Sequence, residues 1–191
     1  MYEIDMFPSR FYMIGGAIEH KKLMNVLNII KEDTENLATI TYGHQGPTYR
    51  TNFYFRDTHA TLFNPIIEEI NGWLAKDNIS FKLKDAAWYA EYGEHDYHAA
   101  HIHATSCPDE LTDQGATHFN YSGIICLSDF GETTFINPNV SSFTEPFMRV
   151  NSEFNKVILF PSNIYHFVTP HGLKDKVRAV FSFNCILTMN R

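Results

Sequence analysis

Trp88-Tyr-Ala-Glu-Tyr92-Gly93-Glu-His95-Asp96-Tyr-His98-Ala-Ala-His101-Ile-His103 carries four of the chain's ten histidines. In an extended strand residues i and i+2 point to the same face, so His101 and His103 are able to present two imidazoles to one ion. Neutral imidazole suits zinc, copper, iron and nickel alike, so the pair points to a metal without naming it. The bland alternative is a histidine-rich acidic loop in water.

A second stretch tips the balance. Asn155-Lys-Val-Ile-Leu-Phe160-Pro161-Ser-Asn-Ile-Tyr-His166-Phe-Val-Thr-Pro170 reads as an apolar strand ended by Pro161, a turn, and a strand carrying His166 among aromatic residues. Alone, such a histidine is more often a hydrogen-bonded core residue than a ligand. A barrel, however, brings an early His-x-His and a late His together, and three protein ligands leave coordination positions open for oxygen chemistry.

The third stretch, Val177-Arg178-Ala-Val-Phe-Ser182-Phe-Asn184, places its even-numbered residues on one strand face. Arg178 then points inward. A buried guanidinium is costly without an anion, and its fork matches a carboxylate with two parallel hydrogen bonds, so Arg178 predicts a dicarboxylate ligand. The alternative is a half-exposed arginine paired with Asp175 or Glu153.

Around these stretches the chain is ordered helices first, strands after. Residues 17–31 put Ile18, Leu23, Val26, Leu27 and Ile30 on one helical face, and residues 58–75 do the same with Leu62, Ile66, Ile67, Ile70, Trp73 and Leu74. From residue 79 onward, short aromatic and β-branched runs at 79–92, 119–127, 132–137, 155–161, 163–168 and 176–187 read as strands. Residues 43–56 form a turn-rich stretch followed by a strand or a substrate-facing loop. The expectation is an α+β chain of one domain over 1–191, with 1–78 a helical support region and 79–191 a sandwich or barrel.

Composition narrows the classes. The 191 residues are 44% hydrophobic, enough for one substantial core, and 16 Phe with 10 Tyr favour a pleated interior. A formal charge of −7 argues against general nucleic-acid binding, because Lys174, Lys176 and Arg178 do not form a basic stripe. The first ten residues are acidic where a secretory signal is basic, and no run approaches the roughly 20 apolar residues that cross a bilayer. Neither export nor membrane insertion is expected. Cys107, Cys126 and Cys185 are odd in number and lack Cys-x-x-Cys spacing, which fits a reducing cytoplasm better than a disulfide framework.

Taken together, the motifs resemble the 2-oxoglutarate and iron(II)-dependent oxygenases, especially prolyl-hydroxylase-like members and their small bacterial and phage relatives. The match runs from Trp88 to Asn184: Tyr92-Gly93 before His101-Ile-His103, Tyr121-Ser122-Gly123, Gly131-Glu-Thr-Thr-Phe135, Leu159-Phe160-Pro161 before His166, then Arg178 and Ser182-Phe-Asn184. The resemblance implies a double-stranded β-helix, a jelly-roll or cupin-like barrel with the N-terminal helices packed on its sheet. It implies His101 and His166 as iron(II) ligands and Arg178 as the clamp on the distal carboxylate of 2-oxoglutarate, with Tyr92 and Ser182 as further co-substrate contacts. The implied reaction consumes dioxygen and 2-oxoglutarate, releases succinate and carbon dioxide, and hydroxylates a C–H bond of a peptide prolyl, amino-acid-like or other small substrate.

Two positions depart from the family pattern. Where the second ligand is usually Asp or Glu this chain has His103, taken here as the third ligand, with Asp96 and Glu132 as alternative sources of a carboxylate. Val180 stands where many relatives have a serine beside the arginine. The runner-up is a three-histidine cupin, a cofactor-free dioxygenase or isomerase, but its glutamate is out of place at Glu110 and it has no use for Arg178. A non-catalytic barrel that only binds is the third reading. The insertion Ala104–His118, with residues 43–56, is the expected substrate selector.

Overall fold

The computed structural model describes residues 2–6, 9–32, 38–39, 45–55, 59–103, 120–140 and 144–189. The insertion Ala104–His118, with Cys107 and Glu110, and residues 43–44 lie outside them. Strands β1 (Tyr2–Met6) and β2 (Ser9–Ile14) open the chain, followed by helix α1 (His20–Glu32) and strands β3 (Ala38–Thr39) and β4 (Arg50–Phe55). Helix α2 (Ala60–Leu74) leads into β5 (Ile79–Tyr92) and β6 (His98–His101). The remainder is β7 (Tyr121–Cys126), β8 (Glu132–Ile136), β9 (Phe147–Asn151), β10 (Val157–Pro161), β11 (His166–Val168) and β12 (Arg178–Met189).

The strands form two sheets. One has eight strands in the order β1-β2-β10-β7-β12-β5-β4-β3; the other has four in the order β6-β11-β8-β9. Neighbouring strands pair antiparallel throughout. This is the expected α+β jelly roll, and the alternation of side chains along its strands sorts the molecule into three layers.

Odd-numbered residues of β12, such as Phe181 and Phe183, face the helices. There they join Leu23, Val26, Leu27 and Ile30 of α1 and Leu62, Phe63, Ile66, Ile70 and Leu74 of α2 in one apolar cluster. The even-numbered Val180 faces the other way, into the space between the sheets, with Phe11, Ile124, Phe135, Phe160 and Val168. Strand β10 serves both layers, with Val157 and Leu159 toward the helices and Ile158 and Phe160 inward, which is why it reads as an unbroken apolar run. Within the large sheet Gly123 is the register partner of Phe183, and a Cβ there would meet the Phe183 ring, so the ring lies over the neighbouring strand only because residue 123 is glycine.

The helices at 20–32 and 60–74 match the sequence periodicity. Residues 1–78 are more than helical support: β2 pairs with β10 and β4 with β5, so both extend the large sheet. Strands β6 and β9 were not among the expected runs, because each is short and carries no run of β-branched residues. No helix among the described residues is long and apolar enough to cross a membrane.

Candidate active site

Strands β6 and β11 lie side by side with His101 and His166 as register partners. The turn after β10 makes this possible: Ile164 N–H donates to the Pro161 carbonyl at 3.0 Å, reversing the chain so that β11 begins at His166. Beyond His101 the chain leaves the sheet but stays anchored, since His103 N–H donates to the Ser162 carbonyl at 3.0 Å. His101, His103 and His166 thereby gather ligand atoms that all lie within 4.8 Å of one another. His166 is 3% exposed, with the Phe160 ring 4.8 Å from its own.

The hydrogen bonds of these rings decide what they offer. His101 Nδ1 lies 2.8 Å from the Ala99 carbonyl and His166 Nδ1 lies 3.1 Å from that of Ile164. A carbonyl only accepts, so in both rings Nδ1 carries a proton and Nε2 is the nitrogen left to bind a metal. Nε2 of His103 sits 3.3 Å from Nε2 of His101. Nitrogens held about 2.1 Å from one ion would be about 3.0–3.4 Å apart, so this spacing fits shared coordination. On the other side of the ring, His103 Nδ1 lies 2.9 Å from Ser122 Oγ and 3.1 Å from Asn184 Oδ1.

Burial, and secondarily the neighbouring His101, hold His103 down to about 4 and His166 well below the ordinary imidazole value. Both are neutral at pH 7, as metal ligation requires.

Neither alternative carboxylate joins the cluster among the described residues. Asp96 is fully buried, but its oxygens accept from Thr48 N–H at 2.9 Å, Thr48 Oγ1 at 2.6 Å and Gly93 N–H at 2.6 Å, tying the turn at 46–48 to the end of β5. Glu132 turns to Thr134 and Arg149 instead. The side chains gathered here are three imidazoles, and neither Asp96 nor Glu132 is among them.

Arg178 lines the same cavity as the three histidines and is 1% exposed. Its Nε donates to Ser152 Oγ at 3.2 Å and its Nη2 to Thr133 Oγ1 at 2.9 Å, whereas the buried Nη1 has no partner among the described residues. The predicted alternative of pairing with Asp175 or Glu153 is not realised; Glu153 pairs with Lys156. Gly131 makes room for the guanidinium, since a Cβ there would lie 2.6 Å from Arg178 Cδ, and its φ of +79° also favours glycine. A buried, positively charged fork with an unpartnered donor beside three imidazoles is chemically suited to an anion.

Tyr92 is the register partner of Arg178, and its ring lies 5.4 Å from the guanidinium carbon. Burial raises its pKa and keeps the hydroxyl protonated. That hydroxyl is 3.3 Å from His98 Nδ1. Ser182 and Val180 line the cavity wall next to Arg178 on β12.

His98 also lines this cavity, and sequence reasoning did not assign it. Positions 98 and 101 are an odd number apart and in a regular strand would face opposite ways. The register shifts here: Val168 and His166, two apart on β11, pair with His98 and His101, three apart on β6. That bulge returns both histidines to the inner face, their rings stacked at 4.0 Å and 18°. The signal available in sequence was only the His-x-x-His spacing.

No protein-family model matches the chain, and no curated protein matches it in sequence. Solved structures do match. A prolyl-4-hydroxylase from Pseudomonas putida superposes with TM-score 0.59 at 13% identity, over 92% of each chain. SnoK, a non-heme alpha ketoglutarate dependent carbocyclase from nogalamycin biosynthesis, gives TM-score 0.65 at 12% identity, over 92% of this chain and 78% of that one. HygX from Streptomyces hygroscopicus, with nickel and 2-oxoglutarate bound, gives TM-score 0.59 at 14% identity, over 92% of this chain and 82% of that one. At such identities the likeness establishes the architecture: the chain has the double-stranded β-helix fold of the 2-oxoglutarate/iron(II) oxygenases.

Proposed function

We propose that this protein is an iron(II)- and 2-oxoglutarate-dependent oxygenase whose metal is held by His101, His103 and His166. The observation that carries the reading is that the buried guanidinium with its unpartnered Nη1 shares one cavity with the three-imidazole cluster. A metal cupin accounts for the imidazoles alone; the sheltered cation calls in addition for a ligand bearing a remote carboxylate.

In this account iron(II) supplies, with 2-oxoglutarate and dioxygen, the oxidative decarboxylation that releases succinate and carbon dioxide and drives C–H hydroxylation. The chain's own residues do the rest. His101, His103 and His166 would hold the metal through their Nε2 atoms. Arg178 holds the distal carboxylate, with Tyr92 and Ser182 beside it. Phe135, Phe160, Ile124 and Val168 keep bulk water from the cluster. The substrate is a peptide or small molecule, the class to which prolyl hydroxylation and the hygromycin B-bound form of HygX point. The chain acts as a single domain over 1–191, and the buried free thiols of Cys126 and Cys185 are consistent with the cytoplasm.

The test is uncoupled turnover. Protein loaded with iron(II) should convert 2-oxoglutarate slowly to succinate and carbon dioxide in air without any other substrate. Absence of succinate, together with absence of 2-oxoglutarate binding, would contradict the proposal and favour the cupin.

A further inference from the structure

His103 differs from its two partners in how its far nitrogen is held. At His101 and His166 a backbone carbonyl takes the Nδ1 proton, an arrangement no side-chain substitution alters directly. At His103 side chains do it. Ser122 on β7 and Asn184 on β12 are register partners, and both extend the inward-facing rows of their strands. Ser122 is fully buried, and its hydroxyl donates to Asn184 Oδ1 at 2.9 Å. With that proton committed, Nδ1 of His103 has an amide oxygen at 3.1 Å and a hydroxyl oxygen at 2.9 Å, both presenting lone pairs. Two lone pairs facing a third repel, so the ring is stable here when Nδ1 carries the proton and Nε2 does not. The Trp88 ring, its centre 5.1 Å from that of His103 and steeply inclined to it, completes the confinement.

We infer that Asn184, assisted by Ser122, is a positioning residue that selects the metal-binding tautomer of His103 and sets how strongly this imidazole donates. The inference rests on the reading that the three imidazoles hold a metal. It gives a physical account of how a histidine serves at the position where a carboxylate is the usual ligand. An imidazole whose Nδ1–H meets a neutral amide remains a neutral donor, whereas one whose Nδ1–H meets a carboxylate becomes more basic and more anionic in character. Residue 184 is therefore the point at which the charge of the site is set from outside the ligand set.

Cobalt(II) titration of metal-free protein, followed by its visible d–d absorption, tests this without turnover. Asn184→Leu should weaken cobalt binding on the order of 10- to 100-fold. Asn184→Asp should bind at least as tightly as wild type, with a displaced d–d spectrum, because a charged acceptor strengthens the donor. Ser122→Ala should fall between wild type and the leucine variant. A purely structural role would lower the melting temperature of the leucine variant and leave cobalt affinity and spectrum unchanged, and that result overturns the inference. If the leucine variant does not fold, the aspartate variant decides: wild-type affinity and an unshifted spectrum overturn it. Wild-type protein that binds no cobalt at all would instead remove the metal reading on which the inference stands.

Discussion

His101 and His166 stand directly opposite each other across β6 and β11, with ring centres 4.3 Å apart and both Nδ1 protons given to main-chain carbonyls. Sheet pairing and backbone hydrogen bonds hold these imidazoles in place before any ion arrives. The site is thus preorganised, and metal need not assemble it.

This predicts that His166→Ala loses metal binding and keeps its fold. The truncation removes a ligand and leaves a small space among Phe135 and Phe160, a cost of about 1–3 kcal/mol against a domain held by two apolar clusters. Circular dichroism with metal analysis separates the outcomes. Loss of secondary structure would return His166 to a core role.

Arg178→Ala should leave metal affinity nearly intact and weaken 2-oxoglutarate binding by about 2–5 kcal/mol, the scale of losing one partner of a sheltered charge pair. Arg178→Lys should recover only part of it, since an ammonium lacks the two-point fork. Calorimetric titration of anaerobic, metal-loaded protein measures both. Wild-type affinity in the alanine variant would refute the clamp.

The metal-free protein should lose stability with acid in a defined window. His103 is held at about 4 in the fold against an ordinary 6.5, so as pH falls below about 6.5 the unfolded chain takes up a proton that the folded ring refuses. Stability is therefore full above that pH and falls until about pH 4, by on the order of 3 kcal/mol from this residue. Urea unfolding of chelator-treated wild type and His103→Gln, from pH 7.5 to 4.5, isolates the contribution. Equal pH slopes for the two proteins would contradict it.

The sequence revealed the site to the extent that strand parity operates. Arg178 and Ser182 share a face by simple alternation, and the two helices follow from their apolar spacing; the His-x-His spacing pointed to the right pair, although β6 ends at His101 and His103 is placed by its backbone bond to Ser162. His98 was hidden because its place depends on a bulge that breaks parity, and a bulge is set by the partner strand rather than by local residues. Asp96 looked like a candidate ligand because an acidic residue beside histidines has the right chemistry. Its actual role, bonding Thr48 and Gly93, depends on a turn from far earlier in the chain. Strands β1 and β2 likewise join the large sheet through β10, where Ile14 pairs with Val157, a partner far along the chain.

The most direct measurement is the visible spectrum of protein loaded with iron(II) and titrated with 2-oxoglutarate in the absence of oxygen. Co-substrate chelating the iron produces a weak metal-to-ligand charge-transfer band, and only a complex in which both partners meet gives it. The band should saturate with 2-oxoglutarate in wild type, be absent from His166→Ala, and require far more 2-oxoglutarate in Arg178→Ala. Iron-loaded wild type that shows no band at any 2-oxoglutarate concentration would contradict the assignment as an iron(II)- and 2-oxoglutarate-dependent oxygenase.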